Sequence, residues 1–295
     1  YDRITGSNFQ FDNLSNNEDI GYVVMDRNLI GNFRASGNLL VNFETIYSAS
    51  SIDGWNNGCD TISYSGSYSS TPIAVATKSS RNDGDGGWFR ECSSSSSSLG
   101  LSVDEDTDQD NERSHGNEDA SLLVFSSSFY YDSNAATSLT TANSLMLESN
   151  SATLSPSSFT TINFDQVYPF PPAVFLLEDN QNPEPSSVRI RNITEESFQV
   201  VPVEPDSIVS DASDQTTTIN YLAISKGEFT FPDGTEIEIG PVVPPDEISN
   251  FQSKRLSGDS WFNFSFATSF GSTPAFLSQI QSMNSETGHT PGSPS

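Results

Sequence analysis

The chain has 295 residues and carries 12 Lys or Arg against 39 Asp or Glu, which gives a formal net charge of −27. A field of this sign repels phosphate backbones and anionic lipid headgroups, and it therefore excludes nucleic acid and acidic membranes as expected partners. No stretch approaches the roughly 20 consecutive apolar residues of a membrane-spanning helix, so we expect no membrane insertion. The charge suits multivalent cations or a salty medium that screens it.

A repeat with a spacing of about one hundred residues organises the sequence. The segments "ISYSGSYSSTPIAV", "INFDQVYPFPPAVFLL" and "FNFSFATSFGSTPAFL" each contain an aromatic residue and then a proline followed by an apolar run. The matching prolines are Pro72, Pro172 and Pro274. Two further marks with the same spacing are the pairs Glu18-Asp19 and Glu118-Asp119 and the aligned residues Phe9, Leu99 and Phe198. Three marks with one period predict tandem units.

In chain order, the repeat divides the sequence into four segments. Residues 1–50 carry the later strands of one unit, and residues 51–150 form a complete unit with an acidic loop. Residues 151–250 form a second complete unit, and residues 251–295 carry the first strands of another. Neither partial segment can bury its apolar face alone, because isolated strands leave backbone N–H and C=O groups unpaired. We therefore expect each partial segment to be completed by another.

Two interpretations of the partial segments are open at this point. In the first, the chain is cut from a longer tandem array. In the second, strands around residues 264–280 pair with strands around residues 9–41 of another copy, so that copies associate head to tail without closing. Both interpretations predict an elongated rod, and the second predicts a filament.

Within each unit the apolar residues alternate with polar ones, as in strands with one buried face. Val188 and Ile190 alternate with Arg189 and Arg191, and "FTFPDGTEIEI" is typical of a hairpin. Short strands separated by Gly, Pro, Asn and Asp predict an all-β fold of tandem antiparallel β-sandwich units. The predicted core residues are Ile62, Tyr64, Val75, Leu99, Leu101, Leu123 and Phe125 in the first complete unit and Phe164, Val174, Phe175, Ile190, Phe198, Val200, Tyr221 and Ala223 in the second.

Two segments resemble known modules. The stretch "SGSYSSTPIAVATKSSRNDGDGGWFRECSSSSSSLGLSVDEDTDQDNERSHGNEDASLLVF" is similar to a module of large secreted and surface proteins of marine microbes, including the Q protein of mannose-sensitive haemagglutinin pilus biogenesis. The segments "INFDQVYPFPPAVFLL", "VRIRNITEESFQVVPVEP" and "TTTINYLAIS" resemble the H-type lectin domain. The resemblance implies a six-stranded antiparallel sandwich and a secreted or surface location. H-type lectins bind N-acetylgalactosamine-like sugars at a trimer interface, but their sugar-contacting positions have no residue-by-residue match in this chain, so the resemblance implies fold and location more than sugar binding.

The stretch "VDEDTDQDNERSHGNED" concentrates carboxylates. Four alternating aspartates resemble the early oxygen ligands of a calcium loop. They are Asp104, Asp106, Asp108 and Asp110, with Asp83 and Asp85 of "NDGDGG" as assisting candidates. Adjacent carboxylates repel one another unless something neutralises them, so calcium is the candidate cofactor. The spacing departs from the helix-loop-helix calcium motif, which has Gly and Glu where this chain has Gln109 and His115.

The same stretch has a second interpretation, as a charged loop held by its own ion pairs. In this interpretation Arg113 pairs with a neighbouring Asp or Glu, and His115 pairs with Glu118. The sequence contains no serine elbow, no paired-histidine zinc helix and no phosphate-binding glycine loop followed by Lys. We therefore expect that the protein is not an enzyme.

Cys59 and Cys92 are the only cysteines, and we expect them to form a disulfide. Closing a loop of this length would stabilise the fold by roughly 3 to 4 kcal/mol in the chain-entropy estimate. The serine run at residues 93–98 is interpreted as a polar segment that connects two strands. A disulfide in a lysine-poor chain favours an extracellular or cell-surface location.

Trp88 is the candidate carbohydrate-binding residue, because the glycines before it in "DGDGGW" could leave its ring exposed for stacking on a sugar. Packing within or between units is the alternative role for this tryptophan. Asn13, Asn192 and Asn263 lie in sequons that would be glycosylated in a eukaryotic secretory pathway.

The patterns together predict an extracellular structural or adhesive protein that forms a rod or filament from head-to-tail copies of itself. The alternative is a carbohydrate-binding lectin module of a larger cell-surface adhesin, with surface glycans as partners. The first requires strand exchange between copies or a longer array, and the second requires a saturable sugar site.

Overall fold

The structure is a computed structural model of the chain. It describes residues 19–83, 87–105, 112–133, 144–155, 158–179, 185–203, 217–231, 234–241 and 265–282. Within these residues the regular elements are β-strands and two short 3-10 turns, Ser36–Asn38 and Trp55–Asn57. The strands are β1 (Ile20–Met25), β2 (Ile30–Arg34), β3 (Leu40–Ile52), β4 (Asp60–Ser63), β5 (Ile73–Lys78), β6 (Trp88–Ser94), β7 (Ser98–Asp104), β8 (Glu118–Phe125), β9 (Phe129–Asp132), β10 (Met146–Leu154), β11 (Thr160–Asn163), β12 (Ala173–Asp179), β13 (Ser187–Arg191), β14 (Ser197–Val203), β15 (Thr217–Ile224), β16 (Gly227–Thr230), β17 (Glu236–Pro241) and β18 (Ala275–Ile280). The prediction of an all-β fold is confirmed.

In the part of the chain that the structure describes, these strands form four sheets. Their strand orders are β16-β17-β1-β18, β2-β3-β8-β5, β11-β14-β13 and β4-β7-β6-β12-β15-β10-β9. The strands pair antiparallel, except where Arg90 and Glu91 of β6 lie parallel to Glu178 and Asp179 of β12. This short parallel contact joins β4-β7-β6 to β12-β15-β10-β9 within the seven-stranded sheet.

One antiparallel pairing occurs three times along the chain. It joins β5 to β8, β12 to β15 and β18 to β1. The corresponding opposed residues are Val75 with Leu123, Phe175 with Leu222, and Leu277 with Val23. All six of these side chains are buried in one central hydrophobic cluster. The three strand pairs therefore present their apolar faces to a shared interior.

The predicted core residues are buried, apart from Tyr64 and Phe164, which are partly buried and pack against the core. Their grouping differs from the expectation of one core in each unit. Val75 and Phe175 belong to the central cluster, whereas Ile62 and Ile190 belong to separate clusters on either side. Successive side chains of a strand point to opposite faces, and both faces of these strands are covered. This is why the strands contain continuous apolar runs as well as alternating ones.

A buried glutamate on each of three strands holds a loop backbone. Glu44 of β3 accepts the N–H of Ser65 at 2.9 Å, and Glu148 of β10 accepts the N–H of Asp165 at 3.0 Å. Glu238 of β17 likewise accepts the N–H of Thr268 at 2.9 Å. In each case the loop precedes β5, β12 or β18. These glutamates, which the repeat pattern did not predict, fix the loops that lead into the three equivalent strand pairs.

Strands from the two partial segments pair with each other within one chain. β18 lies antiparallel to β1, with Ile20 opposite Ile280 and Met25 opposite Ala275. β17 pairs with the other edge of β1. The sequence predicted this pairing between copies; the structure, which contains one chain, forms it within that chain, and pairing between copies stays a prediction. Residues 9–18 and 264, which that prediction also included, lie outside the described residues.

Candidate functional site

A cleft of about 290 Å³ opens where β5, β6, β12, β13 and β18 meet. The residues that line it include Trp88, Gln279, Lys78, Glu178 and Arg189. These five residues come from five different strands and from both the first and the last described parts of the chain. The cleft therefore combines an aromatic surface with hydrogen-bond donors and acceptors, which is the composition of a small polar ligand site.

Hydrogen bonds hold the wall of the cleft in place. The indole N–H of Trp88 donates to the backbone carbonyl of Ser186, whose hydroxyl donates to Glu178 Oε1 at 2.6 Å. Lys78 Nζ donates to Glu118 Oε1 at 3.2 Å on the other side. Trp88 is partly buried, and Glu178 and Arg189 are buried. Trp88 was a candidate for an exposed sugar-stacking ring, with packing within or between units as the alternative; the structure places it, partly buried, in the wall of a cleft.

A buried ion cluster lies where β6 and β7 meet the acidic stretch. Arg90 Nη1 donates to Asp104 Oδ2 at 2.6 Å, and Arg113 Nε donates to Asp104 Oδ1 at 2.7 Å. The side chains of Arg90 and Asp104 are fully buried. Both guanidinium groups lie over the ring of Trp55, with Cζ at 4.3 Å and 4.6 Å from the ring centroid. Trp55 therefore packs beneath this cluster.

His115 bridges two carboxylates beside that cluster. Its Nδ1 contacts Glu105 Oε1, and its Nε2 lies 3.0 Å from Glu118 Oε1. A neutral imidazole has only one N–H, so two carboxylate partners favour the doubly protonated ring. Burial lowers the pKa of His115, but the two carboxylates outweigh it and raise the pKa above its ordinary value. The pairs link the end of β7 to the start of β8.

Glu118 has an unusual electrostatic environment for a buried carboxylate. Burial raises its pKa, but hydrogen bonds from the Ser80 hydroxyl and the Asn82 backbone N–H, together with His115 and Lys78, bring the pKa down to about 2. Glu118 is therefore an ionised anchor that connects the histidine to the cleft through Lys78.

The structure shows the charged-loop pairs that formed the second interpretation of the acidic stretch. Arg113 pairs with Asp104, and His115 with Glu118. Asp104, the first predicted calcium ligand, has both carboxylate oxygens occupied by guanidinium groups and is a poor calcium ligand for that reason. Asp83 accepts the backbone N–H of Gly116 at 2.6 Å. The remaining candidates, Asp85, Asp106, Asp108 and Asp110, lie outside the described residues, and calcium binding there stays a prediction.

No group of three or more His, Cys, Asp or Glu side chains that could hold a metal ion occurs among the residues that the structure describes. The cluster around His115 uses its polar atoms for internal hydrogen bonds and ion pairs. The candidate site for an external ligand is therefore the cleft.

The predicted disulfide is present. The Cys59 and Cys92 sulfur atoms are 2.03 Å apart, and the bridge joins the segment before β4 to β6. The serine run contains the end of β6, a turn in which Ser98 accepts the Ser95 N–H at 3.0 Å, and the start of β7. Its interpretation as a connection between strands is confirmed.

Of the three sequons, only Asn192 lies within the described residues. Asn192 is exposed, has a φ of +50°, and donates its side-chain amide to Gln199 Oε1 at 2.9 Å. Glycosylation of Asn13, Asn192 and Asn263 stays a prediction.

Comparison with known proteins identifies no relative. No protein-family model, curated protein or solved structure matches the chain. Within the described residues, no helix is long and apolar enough to cross a membrane.

Proposed function

We propose that the protein is an extracellular structural or adhesive protein built from three H-type-lectin-like β-sandwich units that close within one chain. The observation that carries this proposal is the β18–β1 pair, which has the same form as the β5–β8 and β12–β15 pairs. The spacing of these strands matches the repeat of about one hundred residues in the sequence. The disulfide and the net charge of −27 support an extracellular setting.

β18 also contacts strands other than β1. The Phe276 N–H donates to Ser121 Oγ at 3.1 Å, and the Ser278 N–H donates to Thr77 Oγ1 at 3.3 Å. Leu277 is buried in the central cluster. A strand that left for another copy would have to form all of these contacts there. Head-to-tail exchange is the competing arrangement, because domain swapping uses the same contacts in a second copy.

A cross-strand disulfide distinguishes closure from exchange. Ile20 and Ile280 are opposed, and the adjacent Gln281 N–H donates to the Asp19 carbonyl at 2.7 Å. Ile20 and Ile280 therefore form a non-hydrogen-bonded pair, whose side chains are closest. We expect the double variant Ile20→Cys/Ile280→Cys to form a disulfide within one chain on oxidation. Light scattering and non-reducing gel electrophoresis should then show a monomer of 32.0 kDa.

The single variant Ile20→Cys is the control, since it can form only linked dimers. A ladder of disulfide-linked multimers from the double variant would contradict closure. It would establish head-to-tail strand exchange and favour a filament.

Carbohydrate binding is a second candidate function, favoured by the cleft that contains Trp88. An aromatic ring can stack on one face of a sugar, and neighbouring charged and amide groups can form hydrogen bonds with the sugar hydroxyls. The volume of about 290 Å³ is at the small end of ligand pockets and suits a single sugar residue. The ligand class proposed is therefore a terminal monosaccharide of a surface glycan.

Replacing Trp88 by alanine is expected to weaken glycan binding by about two- to tenfold, because stacking contributes roughly 0.5 to 1.5 kcal/mol beyond area burial. An immobilised glycan panel would find the sugar, and calorimetry with that sugar would give the affinity. Phe170→Ala is the matched control, since Phe170 is 62 % exposed and lies outside the lining of the cleft. Equal affinity in Trp88→Ala and wild type, or no glycan bound by wild type, would overturn a sugar site here.

A further inference from the structure

We propose that Gln281 sets the register in which β18 joins the rest of the chain. This inference rests on the closure proposed above. Gln281 follows β18 directly and is 8 % exposed, an unusual degree of burial for a long polar side chain near a strand end. Its backbone N–H also donates to the Asp19 carbonyl at 2.7 Å, which extends the β18–β1 ladder by one residue.

The side-chain amide of Gln281 occupies the place of a missing strand beside β12. Its Oε1 accepts the backbone N–H of Val174 at 2.8 Å, and its Nε2 donates to the Val174 carbonyl at 2.7 Å. A carboxamide is the side-chain group that can match both the donor and the acceptor of one residue in this way. Because buried backbone groups need partners, this match ties one position of β18 to one position of β12.

A glycine in β1 makes room for this contact. A Cβ at Gly21 would lie 2.9 Å from Cδ of Gln281, which is closer than side chains approach one another. The Gln281 amide therefore packs directly over the β1 backbone while it bonds to β12. Three segments that are distant in sequence meet at this single side chain.

The neighbouring sequence contains a competitor for the same place. Gln279 lies two residues earlier and therefore on the same side of the strand. If β18 moved along β1 by two residues, Gln279 would reach Val174 and Ile20 would face Ser278 instead of Ile280. A two-residue slip keeps the inside and outside faces of a strand, so the alternating pattern alone does not prevent it.

Cross-linking measures the register directly. The native register is detected by Ile20→Cys/Ile280→Cys and the slipped register by Ile20→Cys/Ser278→Cys, each scored by mass spectrometry of the linked peptides after thiol blocking under native conditions. With Gln281 present, we expect the native link to dominate. Adding Gln281→Ala should lower the native link at least about fivefold and raise the slipped one, whereas Gln279→Ala, the matched control, should leave the native link unchanged.

Two outcomes separate this inference from the proposed closure. An unchanged native link in Gln281→Ala would overturn the role of Gln281 and leave closure intact, whereas linked multimers with Gln281 present would overturn closure itself. Gln281→Glu is the second variant, because it keeps the chain length and the oxygen that faces the Val174 N–H but opposes the Val174 carbonyl with a carboxylate. We expect Gln281→Glu also to lower the yield of the native cross-link. If Gln281→Ala unfolds, an unchanged yield of the native cross-link in Gln281→Glu would contradict the proposal.

Discussion

Replacing Asp104 by asparagine is expected to lower the free energy of unfolding by about 3 to 5 kcal/mol, as for other broken buried ion pairs. Asp104 is fully buried and bonds to Arg90 and Arg113 through different carboxylate oxygens. The amide of asparagine can accept from one guanidinium only, and its NH₂ group would face the other. Two guanidinium groups would then remain buried without a negative charge between them. Chemical denaturation followed by tryptophan fluorescence measures the loss.

The exposed residue Glu196 provides the control for this substitution. Glu196→Gln removes one negative charge from the same chain and should change the free energy of unfolding by less than about 0.5 kcal/mol. A loss of under 1 kcal/mol in Asp104→Asn, by the same measure, would mean that the cluster is not a structural element. This threshold lies well below the loss of about 3 to 5 kcal/mol that usually follows when a buried ion pair is broken.

Thermal unfolding tests calcium binding. Adding a chelator to the wild-type protein should lower the unfolding temperature if Asp106, Asp108 and Asp110 hold an ion. An unchanged temperature would leave only the ion-pair interpretation of the acidic stretch. The Asp104 variant should be destabilised with or without chelator, because its carboxylate acts on arginine rather than on metal.

Features of the fold that depend on local pattern were predictable from the sequence. The apolar runs after Pro72, Pro172 and Pro274 predicted β5, β12 and β18, and the single cysteine pair predicted its own disulfide. The acidic partners of Arg113 and His115 were predictable because they lie nearby in the sequence.

Features that depend on how distant segments pack were not predictable. Arg90 stands out in "WFREC" as a charge within an apolar strand, but nothing local identifies Asp104 as its partner. The cleft requires five strands to meet, and three of its polar residues, Lys78, Glu178 and Arg189, lie on three different strands. The β18–β1 pairing requires the same strand pattern whether it forms within one chain or between copies, so the sequence does not distinguish the two arrangements.

The three glutamates that hold the loops before β5, β12 and β18 were missed for a different reason. Glu44, Glu148 and Glu238 play equivalent roles, but insertions of different length shift them away from a constant period. The prolines keep a nearly constant spacing, and these carboxylates do not. The signal available was a glutamate that directly follows an apolar strand residue, Phe43, Leu147 or Ile237.

Burial of two glutamates makes stability depend on pH. Burial raises the pKa of Glu91 to about 7 and the pKa of Glu148 to about 7, against an ordinary value of 4.5 in both cases. At pH values between 4.5 and about 7, the folded chain binds more protons than the unfolded chain, so the free energy of unfolding falls as the pH rises. Each glutamate should contribute roughly 2 to 3 kcal/mol of this fall between about pH 5 and pH 8.

Other groups define the limits of this window. The raised pKa of His115 adds stability that is lost as the pH rises through that pKa, which is the same direction as for the two glutamates. Glu118 acts in the opposite direction, because its pKa of about 2 contributes stability that is lost as the pH falls from 4.5 toward 2. We therefore expect the greatest stability near pH 5, to about one pH unit.

The variant Glu148→Gln tests the assignment, because glutamine resembles the protonated glutamic acid. Its amide oxygen can accept the Asp165 N–H while its NH₂ group faces the Tyr221 hydroxyl, which lies 3.0 Å from Glu148 Oε1 in the wild type. We expect the variant to lose about half of the decrease in unfolding free energy between pH 5 and pH 8, measured by urea denaturation at each pH. Glu196→Gln should keep the whole decrease. If Glu148→Gln also keeps it, then Glu148 is ionised at neutral pH and its hydrogen bonds outweigh the effect of burial.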